Sequence, residues 1–267
     1  MFKEKLLLGQ YYPADSPIHH LNAAAKIIAA LVYMVVLFIV NTWQGWAVLT
    51  AAAVAVVIVS KLPLSAIWRG LKVILVFCIL TVILNIFFYP GEPIFTLGFI
   101  KVSRAGIFYG FIMGLRLLLL VLLASILTLS TKPMELTDAT ESLLKPLTVI
   151  RVPVHEIAMM MSIALRFIPT ILEEFDRIVL AQKARGAAVS QGNIFRRMKS
   201  FVPMLIPLFV AAFRRAEELA TAMESKCYRG GDGRTKWHVA PWRVRDTVTV
   251  ILSAAVLAGS IVYRSLC

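Results

Sequence analysis

Apolar and polar positions alternate along this chain in long blocks, and several of the apolar blocks have the length of a membrane span. Five runs, about Ala24–Val40, Trp43–Val59, Val73–Tyr89, Ile107–Leu129 and Thr247–Tyr263, approach the ~20 residues a helix needs to cross a hydrocarbon core of roughly 30 Å. Aromatic residues stand near their ends, among them Trp43, Trp46, Trp68, Tyr89, Tyr109 and Trp242, where interface anchors belong. The pattern predicts an all-α membrane protein. A bundle of about five transmembrane helices occupies residues 1–130 and 245–267, and a cytoplasmic domain of long amphipathic helices occupies 131–244.

The stretch from Thr131 to Asp246 is too long for a connecting loop, and loops of such length usually carry function. Two apolar segments lie within it. Ile157–Leu172 contains Arg166 and Pro169; Val202–Phe213 is too short to cross and contains Pro203 and Pro207. In the first, Ile157, Met160, Met161, Ala164, Ile168, Leu172, Phe175 and Val179 recur at steps of three or four, which predicts one helix over about 154–185 that stops at Gly186. In the second, Leu205, Phe209, Ala212, Ala216, Leu219 and Met223 predict a helix over about 203–228, closed by Gly230 and Gly231. Both are read as helices lying near the inner membrane surface.

Charge gives the bundle its orientation. The chain has 267 residues, of which 59% are hydrophobic and only 16% charged, yet its formal net charge is +13. Excess Lys and Arg marks segments retained on the cytoplasmic side. Lys3, Lys5 and Lys26 precede or open the first run, Lys61, Arg69 and Lys72 separate the second from the third, and the largest cluster lies between Lys132 and Arg245. The N-terminus is therefore expected inside the cell membrane and the C-terminus outside. Making only Ile157–Leu172 a span would export Arg177, Lys183, Arg185, Arg196, Arg197 and Lys199. Basic loops facing anionic lipid account for most of the charge, and the missing interleaved aromatics argue against nucleic acid. Three scattered cysteines without a CxxC spacing predict neither a disulfide framework nor a zinc site. The first apolar run carries no small-x-small cleavage site, so no signal peptide is expected.

Enzyme signatures fail residue by residue, and no catalytic residue, metal site or cofactor is expected. His155-Glu156 lacks the second histidine of a zinc protease helix, because position 159 is Met159. No GxxxxGK[ST] phosphate loop exists, so ATP-derived energy must come from a partner. Other features fit an interaction protein. Gly106, Gly110 and Gly114 form a small-xxx-small face for close helix packing. Arg116 lies inside an apolar run, where a charge is a functional candidate. Met159-Met160-Met161 with Met198, Met204 and Met223 makes the long segment rich in thioethers, suited either to core filling or to an adaptable contact surface. Basic residues recur at the ends of both predicted long helices: Arg185 in Ala184-Arg185-Gly186, and Lys226 and Arg229 in Ser225-Lys226-Cys227-Tyr228-Arg229. A cation suits any helix C-terminus, but an arginine between small residues can also enter a partner's groove and meet a carboxylate.

These residues resemble the transmembrane T component of energy-coupling factor (ECF) importers, the family that includes cobalt and nickel permease subunits. The likeness rests on Gly9-Gln10-Tyr11-Tyr12-Pro13-Ala14-Asp15-Ser16-Pro17-Ile18-His19, on Leu165-Arg166-Phe167-Ile168-Pro169, on Ala184-Arg185-Gly186 and on Glu224-Ser225-Lys226-Cys227. The chain departs from the family pattern at Asn22-Ala23, where Asp-Pro is common, and at the second docking motif, where either Lys226 or Arg229 supplies the cation. The resemblance implies two cytoplasmic ABC ATPases, each docked on one motif, and one or more membrane-embedded substrate-binding S components for vitamin or metal-ion uptake. Its ATPase-docking residues would be Ala184, Arg185, Gly186, Ser225, Lys226, Cys227 and Arg229. S-component contacts would fall on Met160, Met161, Ala164, Ile168, Leu172, Phe209 and Phe213. The alternatives are an autonomous secondary transporter using Arg116 and a membrane hydrolase using His155, Glu173 and Glu174.

Overall fold

The computed structural model describes residues 11–88, 93–97, 100–186, 194–231 and 241–266. The chain is an all-α membrane protein: helices α1 (Ala23–Ile39), α2 (Trp43–Ser60), α3 (Leu64–Phe88), α4 (Arg104–Ser130), α5 (Pro133–Leu144), α6 (Val154–Ala184), α7 (Ile194–Ser225) and α8 (Val244–Leu266), with a 3-10 turn at Lys145–Ile150. One small hairpin, absent from the apolar pattern, joins α3 to α4. Its strands β1 (Pro93–Leu97) and β2 (Ile100–Ser103) pair antiparallel with Leu97 opposite Ile100. By length and composition, α2, α4, α6 and α8 can each cross a membrane, and α3 makes a fifth if its two pieces, bent by 52°, count as one span. At 17 residues α1 is shorter, about 26 Å long at 1.5 Å per residue.

Several boundaries differ from the sequence pattern. The third apolar run was expected to begin at Val73, but α3 begins at Leu64. Its first piece, Leu64–Lys72, carries Arg69 and Lys72 and meets the second near Gly70, the residue type at which helices kink. The second long helix was expected from 203, with Pro203 as its opening residue. Instead α7 starts at Ile194, runs through Pro203 and Pro207 and ends at Ser225. Each proline removes one backbone donor but leaves the apolar period intact on either side.

The chain divides into two compact units, residues 1–139 with 239–267, and residues 140–238. The first unit has a continuous apolar core in which Val36 and Leu37 of α1, Trp46 and Leu49 of α2, Ile67 and Leu71 of α3 and Leu119 and Leu122 of α4 pack together. Helices α3 and α4 approach each other closely along the glycines of α4. A Cβ added at Gly106 would lie 2.8 Å from the Asn85 carbonyl oxygen, one at Gly110 3.1 Å from that of Val82, and one at Gly114 2.7 Å from Val82 Cγ2. The glycine face is thus filled by this chain's own α3.

Polar groups at one end of this unit close on one another. Lys26, in the first turn of α1, donates through Nζ to the carbonyl of Ser130 at 2.9 Å, to that of His19 at 3.3 Å and to Thr131 Oγ1 at 3.4 Å, placing a cation at the C-terminus of α4, where the helix dipole favours it. These bonds hold Thr131 in the first unit rather than in the long segment that follows. Asp246 is buried and joins two helix starts: Oδ1 accepts from the Asn22 amide and Oδ2 from the Arg243 amide, both at 2.7 Å. Asn22 in turn caps α1 through its side chain, and Asp246 reaches back to the residue before α8 in the manner of a capping box.

The N-terminal signature packs at the same end; Gly9 and Gln10 lie outside the described residues. Tyr12 donates its amide to the Leu129 carbonyl at 2.9 Å. His19 Nε2 is 3.1 Å from the Tyr12 carbonyl and Nδ1 is 2.7 Å from Ser16 Oγ. A carbonyl only accepts, so Nε2 carries the proton and Nδ1 receives the serine hydroxyl. Burial holds His19 below the ordinary imidazole value, which favours this neutral form.

Candidate docking site

The two long helices α6 and α7 of the second unit pack together, and the pair is joined where Arg215 Nη2 meets Glu174 Oε2 at 3.5 Å, each side chain about one-third exposed. From that point the helices continue equally far. Arg185 follows Glu174 by eleven residues (174 to 185) and Lys226 follows Arg215 by eleven (215 to 226), about 16 Å along each helix.

Both helices then end in the same way. After Ala184, Arg185 keeps a near-helical backbone and bonds back to Ala181, and Gly186 turns left-handed at φ +85° while its amide reaches the Lys183 carbonyl. After Ser225, Lys226 bonds back to Ala222, and Cys227 turns left-handed at φ 54° while its amide reaches the Glu224 carbonyl. A left-handed residue closing a helix is the common stop, normally glycine because a Cβ is strained there. Position for position, Ala184-Arg185-Gly186 matches Ser225-Lys226-Cys227. Arg185 and Lys226 are both exposed and both stand immediately before the left-handed residue. Arg229 is also exposed and also precedes a left-handed residue, Gly230 at φ +92°, but it stands three residues past Lys226, beyond the end of α7 rather than at it.

The segment after the second cap is anchored within its own unit. A Cβ at Gly231 would fall 2.5 Å from the His155 ring, so only glycine allows this approach. His155 Nδ1 meets Glu141 Oε1 at 3.0 Å. With His155 held by Glu141 and Glu174 by Arg215, the residues suggested for a hydrolase are not brought together. Among the described residues no group of His, Cys, Asp and Glu could hold a metal ion.

The residues expected to meet a membrane partner divide. Met160, Met161, Ala164, Phe209 and Phe213 are exposed, whereas Ile168 and Leu172 are half-buried. The thioethers split likewise: Met204 is fully buried, as core filling requires, while Met160 and Met161 face outward. Arg116, in the first unit, stacks on two rings, its guanidinium carbon 5.1 Å from the Phe38 centroid and 5.4 Å from that of Trp46, with Nη1 3.7 Å from Met113 Sδ. Aromatic faces attract a cation, and these rings give the Arg116 charge partners within the apolar run, although its buried Nε has no hydrogen-bond partner.

Sequence reasoning missed the Glu174–Arg215 pair and the left-handed Cys227. The pair left no local signal, since its members are 41 residues apart. Cys227 was readable from the alignment of the two tripeptides, where it takes the place of glycine.

The CbiQ family model, described as cobalt transport protein, matches residues 14–237. The chain belongs to that family. It is 49% identical over 259 residues to the energy-coupling factor transporter transmembrane protein EcfT of Thermanaerovibrio acidaminovorans, covering 96% of this chain and 95% of that one. It is 48% identical over 250 residues to the EcfT of Acidaminococcus fermentans, with 94% and 93% covered. It is 43% identical over 257 residues to that of Bacillus subtilis, with 96% and 97% covered. Identity at this level over nearly the whole chain makes it a transmembrane component of energy-coupling factor transporters, a family of transporter parts rather than of catalysts.

Proposed function

We propose that this chain couples two cytoplasmic ABC ATPases to a separate membrane-embedded S component that binds a vitamin or metal ion, and that it has no catalytic step of its own. The observation that carries this reading is the matched pair of helix ends, each an exposed cation before a left-handed residue, equally spaced from the Glu174–Arg215 contact. One ATPase docks at Arg185 and the other at Lys226, with Ala184, Gly186, Ser225 and Cys227 keeping the neighbouring surface small. Arg229 plays a lesser part. When the ATPases close on ATP, the two ends are drawn together and α6 and α7 turn about their crossing. The exposed side chains Met160, Met161, Phe209 and Phe213 pass that motion to the S component. α6 lies at the inner surface of the cell membrane, because crossing it would carry Arg177, Lys183 and Arg185 outward against the charge rule. The N-terminus is then cytoplasmic. The secondary-transporter alternative loses its main residue, since Arg116 is engaged by Phe38 and Trp46.

Affinity purification from native membranes in mild detergent tests this. The unaltered chain should bring two ABC ATPases and at least one small hydrophobic protein. Arg185→Glu with Lys226→Glu should cut ATPase recovery roughly tenfold or more, the scale of a lost buried charge contact, while the small hydrophobic protein stays. Arg229→Glu alone should change recovery little. ATPases retained by the double variant would overturn the docking assignment.

A further inference from the structure

The first unit holds a cavity of about 760 Å³, open on one side and walled by α1, α2, α4 and α8. Its walls are recessed by small side chains, Ala29 and Ala30 on α1 and Ala52 and Ala55 on α2, and along α8 it extends from Val244 to Val256, about 18 Å of helix. Almost every group facing it is apolar. A cavity of this character does not hold ordered water, which needs polar partners, and in a bilayer an open apolar trough is filled by something apolar.

One end of the trough has a different character. Arg245 lines it there, and Lys61 is exposed just past Val59, the last wall residue of α2. Lys26 also lines this end, but its three donors already go to His19, Ser130 and Thr131. Three acids lie nearby: Asp246 takes the amides of Asn22 and Arg243, Glu135 meets Lys132 at 3.7 Å, and the exposed Asp15 meets His20 at 2.7 Å and also attracts Lys61. Helices α1 and α8 both begin at this end, so their positive dipole ends point the same way.

We infer that the trough is the seat of an anionic phospholipid, one acyl chain lying between α1, α2, α4 and α8 and its phosphate held by Arg245 and Lys61. A long apolar run ending in two exposed cations complements a hydrocarbon chain ending in a phosphate. A partner helix would meet the apolar wall but leave the cations to find an acid of its own. The cytoplasmic leaflet is the source of this lipid, which rests on the orientation proposed above; occupancy of the trough does not depend on the transport reading.

The test uses the full chain with its co-purifying subunits in liposomes, photolabelled with a diazirine-tailed phosphatidylglycerol or with phosphatidylcholine bearing the same tail. Mass spectrometry then locates the label. The phosphatidylglycerol probe should mark α1 and α8 peptides roughly tenfold more than the phosphatidylcholine probe, as two cations near an anionic headgroup imply. Arg245→Gln with Lys61→Gln should erase that preference. Ala55→Phe, which fills the trough from an exposed position, should lower labelling with both probes. Equal labelling by the two lipids in the unaltered chain, or labelling indifferent to Ala55→Phe, overturns the inference. So does a photocrosslinker at position 55 that captures a small membrane protein, which would make the trough a subunit's seat. Uptake activity is read separately, so loss of the lipid preference leaves the coupling assignment standing.

Discussion

Leu119 and Ile126 of α4 are almost fully buried, whereas Phe209, Val210 and Phe213 of α7 are 61%, 64% and 73% exposed. The bundle unit has one shared core, Gly106, Gly110 and Gly114 of α4 are filled by its own α3, and its buried Lys26 and Asp246 have partners. Side chains such as Ile58 and Phe77 face outward as lipid-facing groups do. The unit of residues 140–238 is built the other way. Its long helices bury few side chains among the described residues, Val154, Ala158 and Met204 among them, and they alternate exposed apolar groups with charges, a pattern that lipid alone does not suit. The first unit is held by a core of its own, and the second leaves most of its apolar side chains uncovered. Changes in the first should therefore be read out as stability, and changes in the second as function.

The largest stability effect should come from Gly110→Leu. Its Cβ alone would stand 3.1 Å from the Val82 carbonyl, and overpacking of this kind costs about 1–3 kcal/mol. A thermal midpoint several degrees lower in detergent is expected, with ATPases still bound to the folded fraction; an unchanged midpoint would mean that α3 and α4 are not in close contact. Next is the Glu174–Arg215 contact. Glu174→Arg should lower uptake roughly fivefold, the equivalent of about 1 kcal/mol, and Glu174→Arg with Arg215→Glu should restore most of it. The pair, about one-third exposed, contributes little to stability, so midpoints should hardly move. Uptake that stays low in the swapped pair would show that Glu174 matters for some contact other than Arg215. The smallest effect is assigned to Cys227→Gly. Removing the side chain relieves left-handed strain and loosens the unfolded chain, two opposed terms of about 1 kcal/mol each. The midpoint should shift only slightly and ATPase recovery should stay as before, because the cap geometry is kept. A strong loss of ATPase binding would assign the thiol itself a role.

The degree to which these features were legible follows the range of the interaction behind them. Helices α1, α2, α4 and α8 could be read from apolar run length, and α6 from its three-and-four period, because those signals are local. The start of α7 could not, since Pro203 resembles an opening residue and nothing local distinguishes a proline tolerated inside a helix. Arg116 was visible as a charge in an apolar run, but Phe38 and Trp46, its ring partners on α1 and α2, were not. At the candidate site the two tripeptides marked the helix ends, while only the backbone shows that Lys226 directly follows α7 and that Arg229, before the left-handed Gly230, lies beyond it.

The carboxylate of Asp246 has a consequence for how the chain is made. It accepts the amide of Asn22, 224 residues earlier in the chain. At a synthesis rate of about 5–20 residues per second the first helix waits roughly 10–45 s for that partner. Until then the start of α1 has one polar group unmet at the membrane edge, and a chain that stops before α8 never supplies it. The starts of α1 and α8 are thus tied by a contact that can form only once α8 has been made, and the seam between those two helices closes late.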